Sequence, residues 1–404
     1  MKIAGRMSRI VSSPTIQVGL EVARLRRQGI DVVDLGAGEP DFATPAHVKT
    51  AGIDAIAGDF TKYTANAGIP ELREAICEHY RTAYGVQYDP ANVIVSAGGK
   101  QALFNLVMAL FGPGDEVITH APGWPTIVDQ IKLADAEPVI IRTRTEEGFR
   151  VRAAAVLEAL SARTRGVIIT SPGNPTGALI AEDDLILIAV EAAARGIWVI
   201  VDLCYEQLIY DDAPHNLPRV LREHLGEHGI VSGSLSKSYA MTGWRCGWAI
   251  GDAPVIAACN AIQSHSTSNA SSITQRAAVA ALTGPQECVA EMRCEYRARR
   301  DHVLDWLGAE PRIRCVRPAG AFYLFPDISE VLSPDTIRTS AEFAKALLSH
   351  AHVAVTAGEA FDAPGFLRMS CATSLDRLRE GVDRLCGFLR AVDAGKIGSS
   401  LPVT

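Results

Sequence analysis

The chain has 404 residues and a net charge of −7, and 48% of its residues are hydrophobic while 21% are charged. This length exceeds what one hydrophobic core usually holds, so we expect two domains. The composition is that of an ordinary soluble globular protein. The negative charge and the lack of a long Lys/Arg run argue against nucleic acid or an anionic membrane as the main partner, which leaves small molecules.

The nine cysteines are scattered along the chain and form no C-x-x-C pair. This spacing predicts neither a zinc site nor a disulfide framework, and it fits a reducing compartment. The first residues, MKIAGRMSRIV, lack the apolar core of a signal peptide, and no apolar run approaches the roughly 18 residues of a membrane-spanning helix. We therefore expect a cytoplasmic protein that binds no metal.

The predicted elements begin with a helix over residues 69–84, because Pro70 suits its first position and Gly85 follows its end. From there to about residue 250, apolar runs alternate with helical patterns. The predicted strands are NVIVSA, EVITHA, PVIIRTR, GVIIT, IWVIVD, IVSGS and GWAIG, and the helices among them are KQALFNLVMALFG and DDLILIAVEAAARG. Strands without polar alternation are expected where helices cover both faces of a sheet, so this region predicts a largely parallel α/β domain.

The pattern changes near Pro285. One long helix, QECVAEMRCEYRARRDHVLDWLG, is followed by the short strands GAFYLFP and FLRMSCA and by the helix SAEFAKALLSHA. This mixture predicts a smaller α+β domain. We expect an N-terminal arm with part of the small domain in residues 1–45, the large domain in 46–285, the small domain in 286–394 and a loose tail in 395–404.

Ligands of such sheets bind at the carboxyl ends of the strands, where several reactive residues fall. Lys237 follows the strand IVSGS, and a lysine amine that loses its proton can attack a carbonyl, although a surface lysine is the alternative. Asn174 lies in the rigid loop SPGNPTG, which in isolation is no more than a loop signal. Asp202 ends an apolar strand, with Tyr205 three residues later. A carboxylate in that place either caps the next element or holds a cation.

The stretch SAGGKQALF joins a strand to a helix through Gly98 and Gly99. Glycines let the backbone approach an anion and a helix N-terminus offers free N–H groups, so a phosphate site is predicted, with a plain tight turn as the alternative. The stretch is not a P-loop, because G-x-x-x-x-G-K-[ST] is missing. The other glycine segment, LGAGEPDF, lacks the third glycine of a dinucleotide fingerprint, which argues against a Rossmann oxidoreductase.

Taken in order, eight segments resemble the class I aminotransferases, which are fold type I pyridoxal-phosphate enzymes. The segments are LGAGEPDFATP, KYTANAGIPELREAI, SAGGKQALFN, APGWP, SPGNPTG, DLCYE, SLSKSYAMTGWRCGW and FLRMSCATS, and they span nearly the whole chain. The resemblance implies an α/β fold with a mostly parallel seven-stranded sheet between helices and a smaller α+β domain. It also implies pyridoxal 5'-phosphate as the cofactor and a homodimer with shared active sites.

The resemblance implies roles for single residues. Lys237 corresponds to the lysine that holds the cofactor as an internal aldimine, and Asp202 to the carboxylate that pairs with the pyridine nitrogen. Tyr205 and Asn174 correspond to the donors to the phenolic oxygen of the ring. Tyr205 is expected to be catalytic together with Lys237 and Asp202. Trp124 corresponds to the aromatic residue over the ring, with an ordinary core tryptophan as the alternative.

The phosphate is expected to bind to two side chains and to the start of a helix. The side chains are Ser234 and Arg245, and an arginine suits the place because its planar fork forms two hydrogen bonds to a phosphate. The backbone of Gly98, Gly99 and Lys100 is expected to complete this cup.

Further contacts are implied around the substrate and across the dimer. Tyr63 corresponds to the tyrosine that reaches the phosphate of the neighbouring subunit. Arg368 corresponds to the arginine that binds the substrate α-carboxylate, assisted by the backbone at Gly38, and its alternative role is a surface ion pair. Asn174 and Trp124 are expected to contact the substrate as well.

The expected substrate depends on one departure from a related branch. In the enteric and animal aspartate aminotransferases an arginine of the partner subunit holds the distal carboxylate, but AIQSHSTSN has none, and Ser264 takes its place. A bacterial branch without this arginine uses N-terminal hydroxyls and the lysine after the glycine pair, and this chain has Ser13, Thr15 and Lys100 there. The chain is similar to that branch, so we expect ping-pong transamination from L-aspartate to 2-oxoglutarate.

Three alternatives stay open. The first is an aminotransferase with an aromatic, prephenate or broad preference, because Gly123 and DLCYEQ depart from the family near the ring. The second is a β-lyase of the same fold, which would share Lys237, Asp202 and Arg245 and release ammonia and pyruvate without an acceptor. A cofactor-binding regulatory module is disfavoured, since no helix-turn-helix or basic segment precedes the arm.

Overall fold

A computed structural model describes residues 3–10, 14–211 and 213–395, and of residues 14–16 only the backbone. Ser13 and residues 396–404 of the predicted tail lie outside the described residues. The described helices are α1 (Pro14–Arg27), α2 (Ala46–Ala57), α3 (Pro70–Tyr84), α4 (Gly99–Leu110), α5 (Pro125–Leu133), α6 (Ala153–Glu158), α7 (Glu182–Arg195), α8 (Leu217–His224), α9 (Leu235–Ser238), α10 (Ala253–Ser264), α11 (Ser272–Thr283), α12 (Glu287–Leu307), α13 (Ser340–Ala351) and α14 (Leu375–Asp393). The described strands are β1 (Val33–Asp34), β2 (Val93–Ser96), β3 (Glu116–Ala121), β4 (Glu137–Arg142), β5 (Thr164–Thr170), β6 (Trp198–Asp202), β7 (Gly229–Ser234), β8 (Gly247–Ile250), β9 (Tyr323–Leu324), β10 (Val353–Ala354), β11 (Thr356–Ala357) and β12 (Leu367–Ser370).

Seven strands form the main sheet, in the order β2-β8-β7-β6-β5-β3-β4. Neighbouring strands are parallel except at β8, which runs antiparallel to both β2 and β7. The predicted fold class, with its mostly parallel seven-stranded sheet between helices, is thereby confirmed.

Apolar side chains cover both faces of this sheet, which explains why its strands show no polar alternation. On one face, Ile168, Ile200 and Ile230 belong to one cluster with Leu103 and Leu106 of α4. On the other face, valines of the same strands cluster with side chains of α3, α7 and α11. Because both faces are covered, the ends of β5, β6 and β7 are held in fixed positions, and the functional residues follow from these ends.

The limits of α3 agree with the sequence prediction. Pro70 is its first residue, and Gly85 ends it with a φ of 69°. The N–H of Gly85 donates to the carbonyl of Arg81 and closes the last turn. Glycine adopts this left-handed conformation without steric penalty, so the residue that was used to predict the helix end is also the one that forms it.

A second, smaller region has its own sheet and its own core. Strands β11, β12 and β9 are antiparallel neighbours in that order, and side chains of β9 and β12 share an apolar cluster with α12, α13 and α14. The N-terminal segment joins this region, because β1 pairs in parallel with β10 and places Val33 opposite Val353. The division into domains after residues 45 and 285 stays a prediction.

Within the part of the chain that the structure describes, no helix is both long and apolar enough to cross a membrane.

Candidate active site

A cavity of about 540 Å³ lies at the carboxyl ends of β5, β6 and β7. The predicted site residues that line it are Gly38, Gly99, Lys100, Trp124, Asn174, Asp202, Tyr205, Ser234, Lys237, Arg245 and Arg368. Of the other predicted residues, Gly98 lies next to the guanidinium of the lining residue Arg245, and Tyr63 lies on the surface with 91% exposure. The side chain of Thr15 lies outside the described part of the chain. The structure therefore brings most of the predicted residues together in one place.

Lys237 reaches the cavity from α9, a four-residue helix directly after β7. Ser234 begins this helix, since its Oγ accepts the N–H of Ser236 at 3.1 Å. The Nζ atom of Lys237 donates to the carbonyl oxygen of Gly38. A hydrogen bond between segments 199 residues apart thus holds the amine in the cavity.

Hydrogen-bond donors converge at the N-terminus of α4. No described side chain caps this helix, so the first N–H groups, beginning with that of Gly99, are left for another acceptor. The guanidinium of Arg245 is held beside them by the carbonyls of Thr242 at 2.8 Å and Ala97 at 3.2 Å. Together with the hydroxyl of Ser234, these groups form a cup that suits a phosphate.

Two glycines permit this close approach. Gly98 has a φ of 90°, which other residues rarely adopt, and a Cβ there would lie 2.6 Å from Nη2 of Arg245. A Cβ on Gly247 of β8 would lie 2.3 Å from the backbone nitrogen of Gly99. Side chains at these positions would push apart the groups that form the cup.

Asp202 ends β6 and is only 4% exposed. Its Oδ1 accepts the N–H of Cys204 at 3.1 Å. Burial is the main cause that raises the pKa of this carboxyl group to about 7; the Cys204 N–H opposes the shift, Glu206 adds to it, and Lys237 opposes it. Asp202 therefore ionises readily when a cation is bound beside it.

Arg368 extends from β12 into the cavity. Its Nη1 donates to Oδ1 of Asn174 at 3.1 Å and its Nη2 to the carbonyl of Gly36 at 2.8 Å. The guanidinium lies over the ring of Tyr323, 4.4 Å from the ring centroid, and Nε is buried without a hydrogen-bond partner among the described residues. An arginine held this way is ready to pair with a carboxylate. The backbone partner of Arg368 is thus the carbonyl of Gly36. The backbone of Gly38 lines the same cavity, and its expected contact with the substrate α-carboxylate stays a prediction.

Tyr323 of β9 also lines the cavity, although the sequence analysis did not single it out. Its hydroxyl lies 3.0 Å from that of Tyr205. Burial, the largest cause, raises the pKa of Tyr205 well above its usual range, so this phenol stays neutral and keeps its proton. The signal was present in GAFYLFP, where a tyrosine carries the one polar group of an otherwise apolar run.

Lys100 and Trp124 meet at another wall of the cavity. The Nζ atom of Lys100 lies 4.9 Å from the centroid of the Trp124 ring. Burial, then the charges of Arg245 and Lys237, lower the pKa of Lys100. Three cationic side chains this close together create a positive potential that favours an anion nearby.

The cavity fits pyridoxal 5'-phosphate, the cofactor that the sequence resemblance implies. The uncapped start of α4 and Arg245 match a phosphate, the buried Asp202 matches a protonated ring nitrogen, and Lys237 matches an aldehyde. The glycine at position 98 leaves open the space that such a cup requires.

Comparisons with known proteins agree with this geometry. The family described as "Aminotransferase class I and II" matches residues 30–385. The aspartate aminotransferase of Geobacillus stearothermophilus is 40% identical over 391 residues, which cover 97% of this chain and 100% of the relative. The aspartate/prephenate aminotransferase of Cereibacter sphaeroides is 41% identical over 392 residues, 96% of this chain and 98% of the relative. The solved structure of the Thermus thermophilus aspartate aminotransferase with maleate superposes with a TM-score of 0.91 at 40% identity, over 96% of this chain and 100% of that one. With a matched family, relatives of about 40% identity over nearly its full length and the cavity just described, this chain belongs to the class I and II aminotransferases.

Proposed function

We propose that this enzyme transfers the amino group of L-aspartate to 2-oxoglutarate by a ping-pong mechanism. The observation that carries the proposal is the ammonium group of Lys100, which lies inside the cavity against the ring of Trp124. A cation in this place favours substrates with a second carboxylate.

Four cationic side chains line the described cavity: Lys100, Lys237, Arg245 and Arg368. Arg245 lies at the phosphate cup, Lys237 supplies the reacting amine, and Arg368 is available for the α-carboxylate. Among the lining residues that the structure describes, Lys100 is then the cation that remains for a distal carboxylate.

The cofactor of this family is pyridoxal 5'-phosphate. When bound, it supplies an aldehyde that combines with amines and a ring that accepts the electrons released at the substrate Cα. Ser234, Arg245 and the start of α4 would hold the phosphate, and Asp202 would face the ring nitrogen. Opposite unit charges about 4 Å apart interact by about 4 kcal/mol at an effective dielectric constant of about 20, which is enough to favour the ionised form of Asp202.

The remaining steps are assigned to side chains of this chain. Arg368 binds the α-carboxylate through two hydrogen bonds and thereby fixes the direction of the Cα–H bond. The amine of Lys237 would remove the Cα proton as general base and return it as general acid. Asn174 accepts from Arg368 through Oδ1, so its Nδ2 would be available, with the hydroxyl of Tyr205, to donate to the phenolic oxygen of the cofactor.

The relatives support this substrate. The similar protein from Geobacillus stearothermophilus is named aspartate aminotransferase, and the similar structure from Thermus thermophilus was solved with maleate. Maleate carries two carboxylates on four carbons, as L-aspartate does. A cavity in which Arg368 and Lys100 are each available for one carboxylate is consistent with both L-aspartate and maleate.

The first test is the visible spectrum of the holoenzyme after L-aspartate is added without a 2-oxo acid. The proposal expects the absorbance of the lysine-bound cofactor to disappear and to return when 2-oxoglutarate is added. The Lys237→Ala variant is expected to retain cofactor and to lose turnover. An unchanged wild-type spectrum would contradict aspartate as the donor, and near-normal turnover by the variant would contradict the role of Lys237.

The second test separates the distal carboxylate from the rest of the substrate. In Lys100→Ser we expect the KM for L-aspartate to rise roughly 10-fold or more, because a hydrogen bond to a charged group is lost, while the KM for L-phenylalanine stays within about 2-fold. Lys132→Ser, on the neighbouring helix α5, is the matched control, since Lys132 is outside the cavity-lining set. Equal effects on both donors would contradict the proposal.

Prephenate is a second candidate acceptor. It is favoured by the similar protein from Cereibacter sphaeroides, which is 41% identical to this chain and is named aspartate/prephenate aminotransferase. Prephenate carries a ring carboxylate in addition to its 2-oxo acid group, so Lys100 would pair with it for the same physical reason. Restoration of the starting spectrum by prephenate after reaction with L-aspartate would support this activity, and no restoration would exclude it.

We further propose a cytoplasmic homodimer in which Tyr63 reaches the partner's site. Tyr63 is 91% exposed in the single chain, and Ile53 and Ile56 of the nearby helix α2 are 64% and 55% exposed. Apolar groups this exposed in one region are typical of a protein interface. All nine cysteines are free thiols, which is consistent with a reducing compartment.

A further inference from the structure

Two hydroxyl groups flank Asp202 across the sheet. Thr170 at the end of β5 is in register with Asp202 on β6, and Asp202 is in register with Ser232 on β7. Adjacent strands lie about 4.8 Å apart, and side chains of one row point to the same face of a sheet. Thr170 and Asp202 line the cavity, while Ser232 faces the start of α4, its Oγ lying 4.0 Å from the place of a Cβ on Gly99.

Both hydroxyls are buried and unpaired. Thr170 is 4% exposed and Ser232 is fully buried, and neither Oγ1 of Thr170 nor Oγ of Ser232 has a hydrogen-bond partner among the described residues. A buried hydroxyl without a partner destabilises a fold, so such atoms are rare and call for an explanation. Here two of them lie on either side of one carboxyl group.

The carboxyl group of Asp202 has capacity for both. One oxygen accepts the N–H of Cys204, and an ionised carboxylate can accept about four hydrogen bonds in all. Rotation about one side-chain bond is all that a serine or threonine hydroxyl needs to turn toward a neighbouring strand. Hydrogen bonds to the charged form of a carboxylate favour that form.

We propose that Thr170 and Ser232 are positioning residues that act through Asp202, donating hydrogen bonds to its carboxylate when it pairs with the ring nitrogen of the bound cofactor. The inference rests on the role proposed above for Asp202. The two hydroxyls compensate part of the burial of the charged carboxylate, and they fix the direction in which its other oxygen faces the ring.

The test compares the holoenzyme with the cofactor-free full chain. Thr170→Val and Ser232→Ala remove the hydroxyls with little change of shape. Each is expected to weaken binding of pyridoxal 5'-phosphate roughly 10-fold, as the loss of a hydrogen bond to a charged group does. The melting temperature of the cofactor-free chain is expected to stay the same or to rise, because an unpaired buried polar atom is removed.

Two control variants separate this role from simple packing. Thr170→Ser keeps the hydroxyl and is expected to restore cofactor binding to near the wild-type value. Thr119→Val makes the same chemical change at a buried threonine of β3 that is outside the cavity-lining set, and it is expected to leave cofactor binding unchanged. Equal destabilisation of the holoenzyme and the cofactor-free chain by Thr170→Val and Ser232→Ala would mean a structural role only and would overturn the proposal.

A cofactor analogue with CH in place of the ring nitrogen shows whether the hydroxyls act through that nitrogen. With the analogue, Thr170→Val and Ser232→Ala are expected to bind as the wild type does, because Asp202 has no cation to face. Asp202→Ala is measured in parallel. If Asp202→Ala weakens the binding of pyridoxal 5'-phosphate and of the analogue equally, the proposed role of Asp202 fails. A different outcome would contradict only the role of the two hydroxyls. In it, Asp202→Ala weakens the binding of pyridoxal 5'-phosphate alone, while Thr170→Val and Ser232→Ala either leave the binding of both ligands unchanged or weaken the binding of both.

Discussion

The carboxyl group of Asp202 has a pKa raised from 3.8 to about 7, with burial as the largest cause. Between these two values the folded, cofactor-free chain holds a proton that the unfolded chain has already released. The unfolded state binds fewer protons there, so the free energy of unfolding falls as the pH rises through this window. Above the folded pKa the chain carries a buried charge that the Cys204 N–H and Lys237 compensate only in part.

Replacing Asp202 with Asn keeps the shape and removes the titration. We expect the cofactor-free Asp202→Asn protein to gain stability relative to wild type between pH 4 and pH 8, by about 2 to 4 kcal/mol for a shift of this size. Urea unfolding at the two pH values measures this difference. The same variant is expected to lose turnover, because an amide cannot pair with a ring cation.

The control is Asp54→Asn, which makes the same change on the exposed side of α2. The difference in free energy of unfolding between Asp54→Asn and the wild type is expected to stay nearly constant over the same pH range. A constant difference for Asp202→Asn as well would show that the buried carboxyl group does not titrate in this window. The residue would then not be poised to ionise on cofactor binding.

The start of α4 depends on backbone geometry that no side chain can provide. We expect Gly98→Ala to weaken binding of pyridoxal 5'-phosphate about 10-fold or more, through backbone strain at φ 90° and a Cβ 2.6 Å from Nη2 of Arg245. Fluorescence titration of the cofactor-free protein measures this affinity. The alanine displaces Arg245 from the cup, so the loss is one of phosphate binding.

Gly112→Ala offers a matched control just beyond the other end of α4, because nothing lies within 4 Å of a Cβ there. It is expected to leave cofactor affinity within about 2-fold of wild type, since the cup is unchanged. Similar losses in the two variants would mean that the helix as a whole, rather than the cup at its first turn, determines the affinity.

Elements with strong local signals could be predicted from the sequence, and others could not. The apolar runs of β5 and β6 and the Pro70 and Gly85 limits of α3 are local, and the structure confirms them. Strand β9 covers only Tyr323–Leu324 of the predicted GAFYLFP, because its length is set by pairing with Met369 and Ser370 of β12, far along the chain. Helices α10 and α11 were not among the predicted elements; the buried face of α11 is built largely from small residues and carries a weak periodic signal.

At the scale of the molecule, the site is assembled from segments that are far apart in the chain. The resemblance named half of the residues that line the cavity, since each motif carries its own. It did not reveal Tyr323, whose contact with Tyr205 spans 118 residues, or the bond from Lys237 to the carbonyl of Gly38. Thr170 and Ser232 could not be found from sequence either, because their place beside Asp202 follows from strand register.

The proposed dimer leads to a prediction about two inactive variants. In a dimer with shared sites, each site takes Lys237 from one chain and Tyr63 from the other. Tyr63→Ala and Lys237→Ala are each expected to lose most activity as pure proteins. After the two are mixed and allowed to exchange subunits, half of the dimers contain both chains, and each of these has one complete site, so activity is expected to recover to about a quarter of wild type.

A mixture of Lys237→Ala with Asp202→Ala is the matched control, because both residues belong to the site of one chain and no mixed dimer has a complete site. No recovery is expected there. If Tyr63 instead contributed to the site of its own chain, the activity of the first mixture would not exceed that of the two variants measured separately. The chain with an intact Lys237 would still lack its tyrosine. Recovery in the first mixture alone therefore requires that Tyr63 cross between chains, and it explains why so large an aromatic side chain is 91% exposed in the single chain.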